Sequence, residues 1–162
     1  MSSLAEAIRT LSVSATSPMG WVKVTVSEGR TVVEVVGRGS GAAPERELAG
    51  EATAAWCQAL RRERIARERL RVSIRGKATR EPVPEIADRV RERRAAVEAI
   101  EVSAESPGGV VRVTRVGSVT GEIRVRPGSM TYLDDAALGR EIEAAIAESN
   151  RARALAHAAL TT

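Results

Sequence analysis

Residues 11–16 alternate without a break: Leu11, Val13 and Ala15 are apolar, and Ser12, Ser14 and Thr16 are polar. A period of two marks a half-buried strand. Ser17-Pro18-Met19-Gly20 follows, where proline presets the φ angle of a turn's second position and glycine fits its last, so a tight hairpin loop is predicted. Val22, Val24 and Val26 then alternate with Lys23 and Thr25 as a second strand, and Glu28-Gly29 turns the chain. Val33 and Val35 open a third strand that stops in Gly37-Arg38-Gly39-Ser40-Gly41.

The same pattern returns eighty-nine positions later. Ile100, Val102 and Ala104 repeat Leu11, Val13 and Ala15, Ser106-Pro107-Gly108-Gly109 repeats the loop, and Val111 and Val113 repeat Val22 and Val24. Gly117-Ser118 turns the chain, and Ile123 and Val125 form the third strand before Pro127-Gly128. The copies agree at inward positions and in turn chemistry, where sterics are strict, and drift at outward positions.

A helical period follows each strand triplet. Leu48, Ala52, Ala55, Trp56, Ala59 and Leu60 recur at three and four across residues 45–70, as do Leu138, Ile142, Ala145, Ile146 and Leu155 across residues 134–160. Asp134 is a predicted N-cap. These helices match at a shift of ninety, so one residue is inserted near the third strand of the second copy. A helix also precedes each triplet: a short one with Ser3 capping Leu4, Ile8 and Leu11, and a longer one over residues 85–99, with Pro84 at its start and Ile86, Val90, Val97 and Ile100 at helical spacing.

The predicted class is α+β, made of two helix–three-stranded antiparallel meander–helix units over residues 1–70 and 85–162, joined by a basic linker over 71–84. Within the linker, Val72 and Ile74 are the candidates for a short strand on a sheet edge.

Composition narrows the function classes. Apolar residues make up 43% of 162, enough for a core, and no apolar run reaches the roughly 20 residues of a membrane span. The opening MSSLAEAIRTL lacks a basic stretch followed by an apolar one, so no signal peptide is expected. A single cysteine, Cys57, cannot form an intrachain disulfide and fits a reducing cytoplasm. Lys23 and Lys77 are the only lysines, so the arginine and alanine richness reads as a codon bias. With Trp21, Trp56 and Tyr132 the only aromatics, a base-stacking platform for single strands is disfavoured.

The strand–turn–strand motifs Gly20-Trp21-Val22-Lys23-Val24-Thr25 and Gly109-Val110-Val111-Arg112-Val113-Thr114, with helices reading Leu-x-x-Glu-x-x-x-Ala at Leu48–Ala55 and Leu138–Ala145, resemble the YbaB/EbfC family of nucleoid-associated proteins. The resemblance covers most of both units. It implies small helix–three-strand–helix units that pair, and bacterial duplex-DNA binding with little sequence preference. Two units on one chain then imply a fused pseudo-dimer, acting as a monomer or as a homodimer. The first unit's leading helix is shorter than the family's, which implies unequal DNA engagement by the two units.

Charge distribution indicates where DNA would be held. Arg61, Arg62, Arg64, Arg67, Arg69, Arg71, Arg75, Lys77 and Arg80 stand against only Glu63 and Glu68, a surplus of seven in a chain whose net charge is +4. Such a cluster neutralises phosphates and releases counterions without reading bases. Arg89, Arg91, Arg93 and Arg94 extend it, diluted by Glu85, Asp88 and Glu92. The bland alternative is a solvated helix face of internal Arg–Glu pairs.

Enzymatic readings fare badly. His157 is the lone histidine, without partners at zinc-ligand spacing. Cys57 beside Trp56 reads as a small half-buried helix residue. The Gly37–Gly41 run lacks the ending of a phosphate-binding loop, and Asp134-Asp135 reads as a helix start. No catalytic, metal or cofactor site is therefore expected. Trp21 and its counterpart Val110, each beside a turn glycine, are candidates for contact between the units. The leading expectation is a non-enzymatic, cytoplasmic DNA binder on the nucleoid. The alternative is a protein-interaction or scaffold module of the same fold without DNA binding, such as one associated with secretion.

Overall fold

The computed structural model describes residues 3–75 and 83–161. The elements run α1 (Leu4–Arg9), β1 (Ser12–Thr16), β2 (Val22–Ser27), β3 (Arg30–Val35), α2 (Pro44–Arg75), α3 (Pro84–Glu98), β4 (Glu101–Glu105), β5 (Val111–Val116), β6 (Thr120–Val125), a 3-10 turn at Ser129–Thr131, and α4 (Asp135–Ala159). The strands make two antiparallel three-stranded sheets, ordered β1-β2-β3 and β4-β5-β6. The α+β class and both meanders follow the sequence pattern.

Buried serines set the register of the repeated hairpin. The Ser17 hydroxyl accepts from the Val22 amide at 3.1 Å, and the Ser106 hydroxyl accepts from the Val111 amide at 3.1 Å. In each loop the backbone also closes, with the Gly20 amide donating to Ser17 O and the Gly109 amide to Ser106 O, both at 2.9 Å. Gly20 and Gly109 take φ of 75° and 65°, which a side chain would oppose. Ala15 then faces Val24, and Ala104 faces Val113.

The inserted residue lies in the second turn. Two residues, Glu28 and Gly29, link β2 to β3, whereas residues 117–119 link β5 to β6. Glu28 and Gly29 both have positive φ, the signature of a type I′ turn whose twist suits the strands.

The two copies bury matching positions. In the helices these are Leu48, Ala49, Ala52, Ala55, Trp56 and Ala59, and ninety residues on Leu138, Gly139, Ile142, Ala145, Ile146 and Ser149. In the strands Val22, Val24, Val33 and Val35 match Val111, Val113, Ile123 and Val125. Each fully buried Leu or Ile contributes about 1.5–3 kcal/mol of burial.

Neither long helix serves only its own sheet. Helix α2 lies on β1 and β2 and reaches β6 of the other sheet, and α4 lies on β4 and β5 and reaches β3. The backbone amides of these third strands are capped across the units: Glu143 Oε1 accepts from Val33 N at 2.8 Å, and Thr53 Oγ1 from Ile123 N at 2.9 Å. A second reciprocal pair holds the helix starts. Glu45 accepts from the Gly128 amide at 2.9 Å and the Met130 amide at 3.3 Å, while Asp135 accepts from Arg38. Covering the outer side of a third strand with the partner unit's helix removes an edge that would otherwise recruit other chains.

One local expectation is overturned. Val72 lies in α2, which runs without a break to Arg75, and no strand forms over Val72 and Ile74. Helix-compatible arginines at 69, 71 and 75 and the absence of Gly or Pro across residues 51–75 let the helix continue past two β-branched residues. The first five residues of the expected linker thus belong to the helix. Helix α3 begins at Pro84 as expected but buries none of its residues.

Candidate nucleic-acid interface

The core ends on α2 at Leu60, and no later residue of the helix is buried among those whose side chains are described. A helix of 32 residues is about 48 Å long, so its second half extends well past the sheets it packs on. Residues 61–71 of that half carry the arginines singled out by their charge. Helix α1 packs against α2, and Leu11 just after it lines a hollow with Ile65, Ala66 and Leu70 of this extension.

Partners differ among the predicted site residues. Arg62 Nη1 donates to Ser14 O at 2.6 Å, tying the helix to β1. Arg67 pairs with Glu63 at 2.6 Å, Arg71 with Glu68 at 3.8 Å, and Arg64 with Glu98 of α3 at 3.9 Å. Arg61 and Arg69 are exposed and make no ion pair or side-chain hydrogen bond among the described residues. Exposed pairs of this kind are weak, about 0–1 kcal/mol, so Arg64 and Arg71 can exchange their carboxylates for phosphate at small cost. Arg75 lies in the last turn of α2, while Lys77 and Arg80 lie outside the described residues. On α3, Arg89, Arg93 and Arg94 are exposed and Arg91 pairs with Asp88 at 2.7 Å.

Glu98 pins the end of α3 to the β5–β6 turn. It accepts from the Ser118 hydroxyl and from the Ser118 amide at 3.2 Å. The Ser118 hydroxyl bond is the main reason that its carboxyl titrates below the ordinary 4.5.

Trp21 and Val110 take different places. Trp21 closes over its own unit's loop, where a Cβ on Gly37 would lie 2.8 Å from the indole Cδ1. Val110 is buried beside a groove of ≈ 1200 Å3 between α2 and the second sheet, which Glu45, Arg46, Thr53, Arg112, Arg124 and Arg126 help to line. Mixed signs make this groove a poor continuous phosphate track.

Arg115 was not singled out by sequence, although it falls in the inward register of Val111 and Val113, where the first unit has Val26. It is only 8% exposed, lies over the Trp56 ring at 5.9 Å, and donates to Asn150 Oδ1 at 2.5 Å and Ser118 O at 2.8 Å. Its Nε is buried with no hydrogen-bond partner among the described residues. Burial, reinforced by Arg153 and opposed by Glu63, lowers its pKa to about 10.

Among the described residues, no three His, Cys, Asp or Glu side chains gather as a metal site, and no helix is long and apolar enough to cross a membrane. Cys57 is half-buried, with its Sγ 3.4 Å from Gly121 O. No family profile, curated protein or solved structure matches the chain.

Proposed function

We propose that this chain is a non-enzymatic protein of the YbaB/EbfC nucleoid-associated type, a pseudo-dimer of two fused units that binds duplex DNA through phosphates with little sequence preference. On this reading it acts on the bacterial nucleoid, in the cytoplasm. The observation that carries it is the arginine-bearing half of α2, which leaves the core after Leu60 and presents Arg61 and Arg69 without ion-pair or side-chain hydrogen-bond partners among the described residues. The reciprocal caps, Glu143 on Val33 and Thr53 on Ile123, support the pseudo-dimer part. A gel shift with mixed-sequence duplex tests the reading: the wild type retards DNA at low salt, and Arg61, Arg64, Arg67 and Arg71→Glu together abolish the shift. No retardation by the wild type at low salt ends it.

A second reading, a protein-interaction module of the same fold, is favoured by apolar side chains on the same projecting helices. Ile65 and Val72 of α2 are 51% and 65% exposed, and Ile86 and Val90 of α3 are exposed at helical spacing. A pull-down beside the gel shift separates the two, because an interaction module captures protein and leaves DNA unshifted.

A further inference from the structure

The two sides of the reciprocal packing are not interchangeable. On one side the Trp56 indole, fully buried, lies directly on β6 at Gly121. A Cβ there would approach the ring to 2.8 Å at Cη2 and closer still at Cζ3, with Thr114 O at 3.0 Å. On the other side, ninety residues away in each case, the corresponding residues are Ile146 and Thr31. The large ring is matched to the absent side chain and the smaller side chain to the larger one.

A second mismatch lies about two helical turns away. Gly139 of α4 comes so near β3 that a Cβ would sit 2.8 Å from Val33 O. Its counterpart on α2 is Ala49, facing the side of β6. A third difference is Arg115, covered by the Trp56 ring, where the first unit has Val26.

Transposing these contacts shows what each half would meet in a copy of itself. A first unit paired with another first unit would set Trp56 against Thr31 and the Ala49 methyl against Val33 O, two clashes of which one is with backbone. A second unit paired with another second unit would set Ile146 over Gly121 and Gly139 beside Ile123, leaving voids, and would leave Arg115 without its indole. Repulsive elements of this kind set specificity as firmly as attractive ones.

We propose that Trp56–Gly121 and Gly139–Val33 are the specificity determinants of the inter-unit surface, so that each half accepts the opposite half and excludes a second copy of itself. The inference rests on the paired-unit reading and not on DNA binding, and the gel shift and the experiment below fail separately.

The test uses two full-length chains of distinguishable mass, one carrying Gly121→Thr and one carrying Trp56→Ile. Each alone is mismatched on one side. Unfolded together, refolded and counted by native mass spectrometry, they exchange halves: Trp56 of one meets Gly121 of the other, and Ile at 56 meets Thr at 121. Mixed pairs are expected in at least about tenfold excess over like pairs, the ratio a single tenfold preference gives. A statistical distribution or an absence of mixed pairs overturns the proposal. In a single chain, Trp56→Ile with Gly121→Thr and Arg115→Val rebuilds one side as a copy of the other and refolds with a higher melting temperature than Gly121→Thr alone. An equal or lower melting temperature also overturns it.

Discussion

The Glu143 carboxylate of α4 accepts the Val33 amide of β3 at 2.8 Å, a bond between residues 110 positions apart that joins the second unit's helix to the first unit's sheet. Val33 is buried, so the amide has no water to turn to. Glu143→Ala is expected to cost about 1–3 kcal/mol, the desolvation of an orphaned buried donor, and Glu143→Gln, which keeps an acceptor, far less. Thr53→Val on the other side, where Thr53 accepts from Ile123, should cost about the same as Glu143→Ala. Urea denaturation monitored by tryptophan fluorescence checks both.

Ser17 and Ser106 occupy the same place in the two hairpins and are both buried. Replacing either with Ala removes the acceptor of a buried strand amide, at about 1–3 kcal/mol each. They belong to separate sheets, so the double substitution should equal the sum of the singles within about 0.5 kcal/mol. Chemical denaturation of the three variants measures this.

Glu28 holds a φ of 51° at the first position of a two-residue turn ahead of Gly29. Asparagine tolerates that conformation better and Asn-Gly is the preferred pair for this turn. Glu28→Asn should raise stability by a few tenths to about 1 kcal/mol, seen as a higher melting temperature in calorimetry.

Arg115 is charged in a site whose first-unit counterpart is Val26. Replacement of a buried charge by an apolar residue of similar volume is commonly neutral or stabilising, so Arg115→Met should lose no stability and gain up to about 1–3 kcal/mol. The pH dependence has a definite sign. Burial lowers the folded pKa to about 10, below the ordinary guanidinium range, so above about pH 10 the unfolded chain holds more protons on this group than the folded one. Its contribution to stability therefore rises with pH across that window. Urea midpoints at successive pH values in the wild type and Arg115→Met should show that rise only in the wild type.

Much of this arrangement was legible in the chain. Period two placed Val22, Val24, Val111 and Val113 inward, and helical spacing placed Leu48, Trp56, Leu138 and Ile146, because burial on one face imposes those periods directly. The slip between the copies announced an inserted residue, found in the turn after β5. Partner choice was not legible: nothing local to α2 says that Trp56 rests on Gly121 of the other unit, since the pattern records that a face is buried and not against what. Arg115 looked like an ordinary strand arginine because arginine is abundant along this chain, and only its register with Val113 marked it as inward. The helix passing Val72 was hidden for a similar reason, as two β-branched residues in alternation mimic a strand where helix continuity decides. The arginines of residues 61–71 were readable as a run, but which of them were already engaged, as Arg62 is with Ser14 O, depended on tertiary packing.

On the proposed reading, the projecting half of α2 neutralises DNA phosphates. Equilibrium binding to a mixed-sequence duplex, followed by fluorescence anisotropy over a series of salt concentrations, measures this directly. The logarithm of the affinity should fall linearly with the logarithm of salt, and Arg61→Ala with Arg69→Ala should flatten the slope by about 1.8, the loss expected for two phosphate contacts. An affinity that ignores salt, or a slope that these two substitutions leave unchanged, would contradict it.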